Sequence, residues 1–172
     1  MARKAKLKLK EGIKGIKFTT PVFRLSFPHL FEATKFNEAS KPTYQCAMLF
    51  KKDQDISQMK KAIVDAAKEG FGDASKWKGQ VSLPWRDGDD SEDFAGYEGH
   101  YYCGAKSYNK VVVVNKDKEK LTAEDASQVY AGCYCRAVVV AKATEAGGKY
   151  YVSLHLQAVQ KWADGKPFGS SV

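Results

Sequence analysis

The feature that most constrains the fold is the stretch from Val129 to Trp162, which has the residue pattern of one long β-hairpin. Its second half alternates strictly, and the apolar positions are Val152, Leu154, Leu156 and Ala158. Its first half places a second set of small and apolar side chains on one face, namely Cys133, Cys135, Ala137 and Val139. Strict alternation is typical of strands with one face in a core and one in water. The chain is therefore predicted to be built around a half-buried sheet.

The segment EAGG at 145–148 joins the two halves and supplies glycines that can adopt the positive φ of a hairpin turn. We expect Thr144 to face Lys149, which would place small residues opposite large ones along the hairpin: Cys135 opposite Ala158, Ala137 opposite Leu156, Val139 opposite Leu154 and Ala141 opposite Val152. The outer face then collects Tyr134, Arg136, Lys142, Tyr151, His155 and Gln157. An aromatic and basic strand face is typical of a platform on which unpaired bases stack.

The length of the chain and its balance of charged residues limit the kinds of function that the protein can have. The chain has 172 residues, which suits one domain, and carries 28 Lys and Arg against 20 Asp and Glu, a net charge of +8. Such a balance attracts polyanions, and the 12% of aromatic residues favours nucleic acid over an anionic membrane. The sequence has neither a membrane-spanning apolar run nor a signal peptide. We therefore expect a cytosolic protein whose 4 cysteines are reduced thiols in its core.

The rest of the chain predicts further strands and one helix. A strand is expected over 18–31, with Phe23, Leu25 and Phe27 on one face, and another over 43–50. The helix is expected over 53–70, capped by Asp53 or Asp55. Residues 71–99 predict a long irregular segment, which is usually functional or mobile. Strands follow at 100–107 and 111–114, and a helical turn at 122–125. We expect a basic arm over 1–17, a single domain over 18–169 and a short tail over 170–172.

Four motifs in order resemble a known family. They are FRLSFPHLF, LPWRDGDD, YAGCYCRAVV and VQKWADGKPFG, and with them the chain resembles tailed-bacteriophage single-stranded DNA-binding proteins from about Thr20 to Gly169. The resemblance implies a mostly β protein with an OB-fold, a small Greek-key β-barrel with one embedded helix. It implies binding of single strands in phage replication or recombination, with no catalysis and no cofactor. Two departures are an ending, GKPFGSSV, without the acidic cluster of many such proteins, so that the tail is either absent or lies beyond this sequence, and a helix that comes early in the strand order.

The candidate DNA-binding residues are those expected on outward strand faces or in the irregular segment. They are Arg24, Trp85, Arg86, Tyr102, Lys106, Tyr134, Arg136, Lys142 and Tyr151. Each of these side chains could equally pack against the fold or pair with a carboxylate. Aromatic rings would stack on bases, and cations would neutralise phosphates and make binding sensitive to salt. The expected partners are single-stranded DNA and replication proteins, without a membrane, in the cytoplasm of the infected bacterial host. A homodimer is left open.

Three alternatives stay open. A metal-dependent nuclease could use the acidic run of Asp87, Asp89, Asp90, Glu92 and Asp93, although nuclease carboxylates usually come from separate elements. A zinc site could use Cys133 and Cys135 with Cys46 and Cys103, although one intervening residue is short for zinc. An RNA-binding or virion structural protein could use the same fold, because small barrels host many functions.

Overall fold

The computed structural model describes residues 7–35, 37–90 and 96–168. Its strands are β1 Ile16–Thr19, β2 Phe23–Thr34, β3 Thr43–Lys51, β4 Val81–Ser82, β5 Arg86–Asp87, β6 His100–Ser107, β7 Val112–Val114, β8 Tyr134–Ala146 and β9 Lys149–Ala163. Its α-helices are α1 Ser57–Phe71 and α2 Ala74–Trp77, and two 3₁₀ turns span Gly88–Asp90 and Ala123–Gln128. The mostly β class predicted from the sequence is confirmed.

Five strands pair in the circuit β2–β3–β6–β9–β8 and back to β2. All of these pairings are antiparallel except β6 with β9, which run parallel and share the single pair Lys106 and His155. The short strands add to this circuit, with β1 on β8, β5 on β6, and β4 and β7 on β9. The arrangement is the five-stranded, partly open Greek-key barrel expected of an OB-fold, and its thin seam lies between β6 and β9.

The β8–β9 hairpin has a tighter turn than the sequence indicated. Ala146 pairs with Lys149, so the turn consists of the two glycines at 147–148, which both have positive φ, 58° and 76°. Two-residue turns with positive φ at both positions match the twist of hairpin strands. Thr144 therefore faces Tyr151 and not Lys149, so the expected register is wrong by two residues. A shift by two leaves every side chain on its predicted face.

A β-bulge on β9 then exchanges the faces. Leu156 and Ala158 oppose consecutive residues of β8, which leaves Gln157 as an extra residue. Beyond this bulge Val159 is fully buried and Ala158 only partly, so the core position predicted for Ala158 is wrong. The other predicted core positions of the hairpin are confirmed, because all of them are buried: Cys133, Cys135, Ala137, Val139, Ala141, Val152, Leu154 and Leu156.

Helix α1 has Ile56 at its N-cap, where no side chain makes a capping hydrogen bond, so the predicted cap at Asp53 or Asp55 is wrong. Asp55 lies one residue earlier and accepts hydrogen bonds from the backbone N–H and the hydroxyl of Ser57 (3.0 and 2.7 Å). The helix packs across β1 and β8. At Gly70 a Cβ atom would lie 2.2 Å from the Cβ of Ala143, so glycine permits this close approach. Helix α1 lies between β3 and β6 in the chain, early in the strand order as expected.

The N-terminal segment runs along α1. Leu7 is buried, and the backbone N–H of Lys10 donates to the carbonyl of Gly70 at 2.8 Å. Residues 1–6 and 169–172 lie outside the described part of the chain. The division into arm, domain and tail therefore stays a prediction. Within the described residues, no helix combines the length and apolar character needed to span a membrane.

The strand expected over 18–31 is divided between β1 and β2, with Pro21 in the gap. Inside β2 the pairing advances three residues from Ser26 to His29 while β3 advances two, so β2 carries a bulge there. Phe27, predicted to face the core, lies in this bulge with a φ of 46° and is 53% exposed. Ser26 is buried instead and its hydroxyl accepts a 2.6 Å hydrogen bond from the Tyr97 hydroxyl.

Candidate nucleic-acid interface

A groove of about 500 Å³ opens where β6 and β9 separate on the hairpin-turn side of their single shared pair. Ala47 of β3 and Gly104 of β6 line it, and they are paired across the two strands. Phe27, Arg86 and Lys106 line it as well, together with the 151–154 segment of β9. The groove therefore combines small, aromatic and basic residues on a framework of paired strands.

Gly104 leaves the floor of the groove without a side chain at this position. It is exposed in the middle of a strand, and its φ is not positive, so no turn requires a glycine there. A Cβ atom at this position would meet only the carbonyl oxygen of Cys46, at 3.8 Å, which is ordinary contact. An exposed strand glycine that the fold does not need marks a place where a ligand can approach the backbone.

Three of the nine predicted residues meet at this groove: Arg86, Lys106 and Tyr151. Strand β5 pairs Arg86 with Tyr102 and so holds the arginine beside β6. Tyr151 is half-buried and pairs with residues of both β8 and β4. Arg86 and Lys106 are both exposed, and neither forms an ion pair with any of the described residues. Both cations are therefore available to an anionic ligand.

Two carboxylates of the acidic run beside Arg86 share one lysine of the fold. Lys52 forms ion pairs with Asp87 at 2.8 Å and Asp89 at 2.5 Å. These hydrogen bonds hold the pKa of both carboxyls below the usual range and raise the pKa of Lys52. Asp90 is exposed, and the two remaining acids of the run, at 92 and 93, lie outside the described residues. The pairing anchors the segment that carries Arg86, and two carboxylates already paired with a lysine do not favour the nuclease interpretation.

Two predicted residues pack against other parts of the fold. The ring of Trp85 meets Phe50 edge-on with ring centroids 6.0 Å apart, so it packs against the core. Tyr102 meets Tyr97 in the same way at 4.9 Å. For both residues packing explains the aromatic side chain.

The C-terminal segment covers two more of the predicted residues. Arg24 donates hydrogen bonds to the carbonyls of Gly132 (3.2 Å) and Lys166 (2.5 Å), and its guanidinium lies 3.9 Å from the ring centroid of Phe168. Tyr134 lies beside Gly165, where a Cβ atom would come within 2.8 Å of its ring. These side chains hold the chain end against the barrel, and neither lines the groove.

The last two predicted residues lie on the hairpin away from the groove lining. Arg136 is 5.3 Å from the ring centroid of Trp162, and Lys116 approaches the same ring at 5.1 Å. Lys142 is half-buried on β8, and its carbonyl accepts a 3.2 Å hydrogen bond from the hydroxyl of Ser153. The structure thus brings together three of the nine predicted residues and distributes the other six.

The four cysteines are buried in the core, and burial raises the pKa of Cys46 to about 12. The sulfur atoms of Cys133 and Cys135 lie 3.7 Å apart. Metal binding needs thiolates, which an apolar core disfavours. Among the described residues no three or more Cys, His, Asp or Glu side chains converge as metal ligands. These observations favour a packing role for the thiols.

His155 borders the groove opposite Lys106 and its Nε2 lies 2.9 Å from the hydroxyl of Ser153. Burial, followed by the nearby charges of Lys142 and Lys106, lowers its pKa below the ordinary value. The imidazole of His155 therefore binds a proton near pH 6.5 in the unfolded chain, but only at a lower pH in the folded protein.

Replacing this imidazole should flatten the pH dependence of stability. The wild-type free energy of unfolding should fall as the pH drops below about 6.5, by less than about 1 kcal/mol because the ring is partly exposed. His155→Gln should lose this component. Urea unfolding between pH 5 and 7.5 measures the difference, and identical pH profiles for both proteins would contradict the assignment.

Phe27 and Gly104 are two of the groove residues that the sequence analysis did not select. Phe27 was expected in the core, and Gly104 carries no side chain that a pattern could register. The signal for the first was present in Pro28, because a proline within a strand pattern marks a bulge or an edge.

Comparison with known proteins relates this geometry to phage proteins. The family model described as "Enterobacter phage Enc34, ssDNA-binding protein" matches residues 16–172. Protein p50 of Acyrthosiphon pisum secondary endosymbiont phage 1 is 32% identical over 154 residues, which cover 84% of this chain and 82% of the relative.

Solved structures with a similar fold include the single-stranded DNA-binding protein from bacteriophage Enc34 in complex with ssDNA. It superposes with a TM-score of 0.73 at 25% identity, over 96% of this chain and 99% of that one. The bacteriophage T7 single-stranded DNA-binding protein gp2.5 gives a TM-score of 0.64 at 15% identity, over 91% and 96%. The similarity to gp2.5 concerns the fold alone.

Proposed function

This chain belongs to the phage family of the Enterobacter phage Enc34 single-stranded DNA-binding protein, and we propose that it binds single-stranded DNA along the groove between β6 and β9. Binding occurs without strong sequence preference and serves phage DNA replication or recombination. The protein acts by binding and not by catalysis, as its family and structural relatives do. Its site of action is the cytoplasm of the infected host, where replication proteins are its expected partners.

One observation carries the proposal: the groove places two exposed cations, which form no ion pair with the residues that the structure describes, beside aromatic side chains and a floor without bulky side chains. Arg86 and Lys106 would neutralise phosphates and release condensed counterions. Tyr151 would stack on a base, which is worth roughly 1–3 kcal/mol and works with any base because every base has a π-face. The OB-fold supports this location, because members of this fold bind oligonucleotides on the face of their second and third barrel strands. These strands are β3 and β6 here, and both line the groove.

Fluorescence anisotropy of a labelled oligo-dT tests the function. We expect tight binding to the single strand, weaker binding to the matched duplex, and a steep loss of affinity with rising salt. EDTA should change nothing, because no metal takes part in the proposed contacts. Equal binding to both DNA forms would contradict the proposal. Preference for a matched RNA strand would indicate that the protein binds RNA instead of DNA.

The groove floor offers a separate prediction. Gly104→Glu places a carboxylate where the phosphates and bases would lie, so affinity for oligo-dT should fall by about tenfold. Gly104→Ala is the matched control, because its Cβ atom meets the Cys46 carbonyl at only 3.8 Å and leaves the floor open. Anisotropy titrations, with thermal melts to confirm folding, measure both. Equal affinity in the glutamate and alanine variants would exclude DNA from the floor.

A further inference from the structure

Phe27 combines exposure and an unfavourable backbone conformation at the edge of the groove. Its side chain is 53% exposed and lines the groove, and its φ of 46° lies in the left-handed region. A bulky residue rarely adopts a positive φ, and non-glycine residues there store roughly 1–3 kcal/mol of strain. The exposure of an apolar ring and the positive φ are both unfavourable for the free energy of folding.

The strand pairing and the anchoring of Ser26 impose this conformation despite its cost. The bulge between Ser26 and His29 places an extra residue in β2, and bulges next to binding sites commonly redirect a side chain. Ser26 is buried and tied to Tyr97 by a 2.6 Å hydrogen bond, which fixes the chain just before Phe27. Pro28 favours extended backbone at the residue before it, so it adds to the cost of the positive φ. The bulge thus turns the Phe27 ring away from the core, where the strand alternation would have placed it.

We propose that Phe27, beside Tyr151, is the main stacking residue through which this protein prefers single-stranded over double-stranded DNA. The inference rests on the proposed function and deepens it. Phosphates are present in both DNA forms, so Arg86 and Lys106 would hold either one. Only an unpaired strand exposes base faces to an aromatic ring. A stacking residue therefore contributes to one form and not to the other.

The other aromatic residues are less suited to this role. The rings of Trp85 and Tyr102 pack edge-on against Phe50 and Tyr97. Tyr108 is the most exposed of the large hydrophobic residues described, at 62%, yet it does not line the groove. Tyr151 lines it but is half-buried between two neighbouring strands. Phe27 differs from these residues because its side chain is exposed and also lines the groove.

The test compares stability and selectivity in the full chain. Phe27→Gly removes the ring and suits the positive φ, so the melting temperature should stay equal or rise. Affinity for oligo-dT should fall by about tenfold, while affinity for the matched duplex should change by less than about twofold. Phe27→Tyr should keep the wild-type preference, and Phe27→Leu, which keeps an apolar side chain at the same φ, should lose it. Tyr108→Ala is the control and should change neither affinity.

Each outcome has a distinct meaning. A folded Phe27→Gly variant that keeps the full preference for single strands would overturn the inference and leave the proposed function standing. Wild-type protein without any such preference would overturn the proposed function itself. If the glycine variant melts early, the Leu and Tyr variants decide, because equal preference in these two would also overturn a stacking role.

Discussion

Reversing both groove cations together, with Arg86→Glu and Lys106→Glu, is expected to lower affinity for single-stranded DNA by at least about a hundredfold. Charge-assisted hydrogen bonds contribute roughly 1.5–3 kcal/mol each, so the loss of two accounts for this change. Both side chains are exposed and in no ion pair with the described residues, so the substitutions remove ligand contacts without breaking an internal pair. Anisotropy titration at fixed ionic strength measures the loss.

A salt series separates local contacts from general charge. Each phosphate contact to a single strand contributes roughly 0.7 to the slope of log affinity against log salt, so the double variant should be shallower by about 1.4 or more. Lys68→Glu with Lys120→Glu is the matched control, because both lysines are exposed outside the groove and the change in net charge is the same. Similar losses in both double variants would mean that the groove has no special role.

Phe23→Ala is expected to lower the free energy of unfolding by about 3–5 kcal/mol. Phe23 is fully buried, meets Phe50 edge-on at 5.8 Å, and stands opposite Cys135 where β2 joins β8. Its removal leaves a cavity inside the barrel that neighbouring paired strands cannot easily fill. Urea unfolding followed by tryptophan fluorescence measures the change.

Phe31→Ala provides the matched control on the same strand. Phe31 is only partly buried at the margin of the core, so its loss should cost clearly less. Equal destabilisation by the two substitutions would contradict the position of the core. If Phe23→Ala is folded at low temperature, its DNA affinity there should match the wild type, because Phe23 does not line the groove.

Periodicity predicted the interior of the molecule well, because a period of two or 3.6 reports which side chains a single element buries. The buried set that begins at Cys133 and continues along β8 matches the prediction, β6 has the bounds expected from 100–107, and α1 buries the predicted stripe that includes Ile63. These features depend on local spacing alone.

Periodicity failed where an extra residue interrupts the pairing. The bulge at Gln157 moved Ala158 out of the core, and the bulge at Phe27 moved a phenylalanine to the surface. Counting by twos cannot detect either bulge, although Pro28 marks one of them.

The binding site was predicted only in part, because alternation shows which side chains leave the core and not what covers them afterwards. Arg24 faces outward as expected, but Phe168 of the C-terminal segment lies over it. Arg86, Lys106 and Tyr151 come together only because β5 and β9 flank β6 in the folded chain. Which distant segments lie side by side depends on the strand pairings of the folded chain, and alternation along one segment does not report these pairings.

Photo-cross-linking of a 5-iodouracil oligonucleotide, followed by mapping of the labelled peptides, tests the location of the DNA most directly. The groove contains Phe27 and Tyr151, whereas Tyr108 and Trp162 are aromatic residues outside it. We expect cross-links at Phe27 and Tyr151, and their loss in the Arg86→Glu and Lys106→Glu double variant. Cross-links concentrated at Tyr108 or Trp162, with the groove residues unlabelled, would contradict the proposed interface.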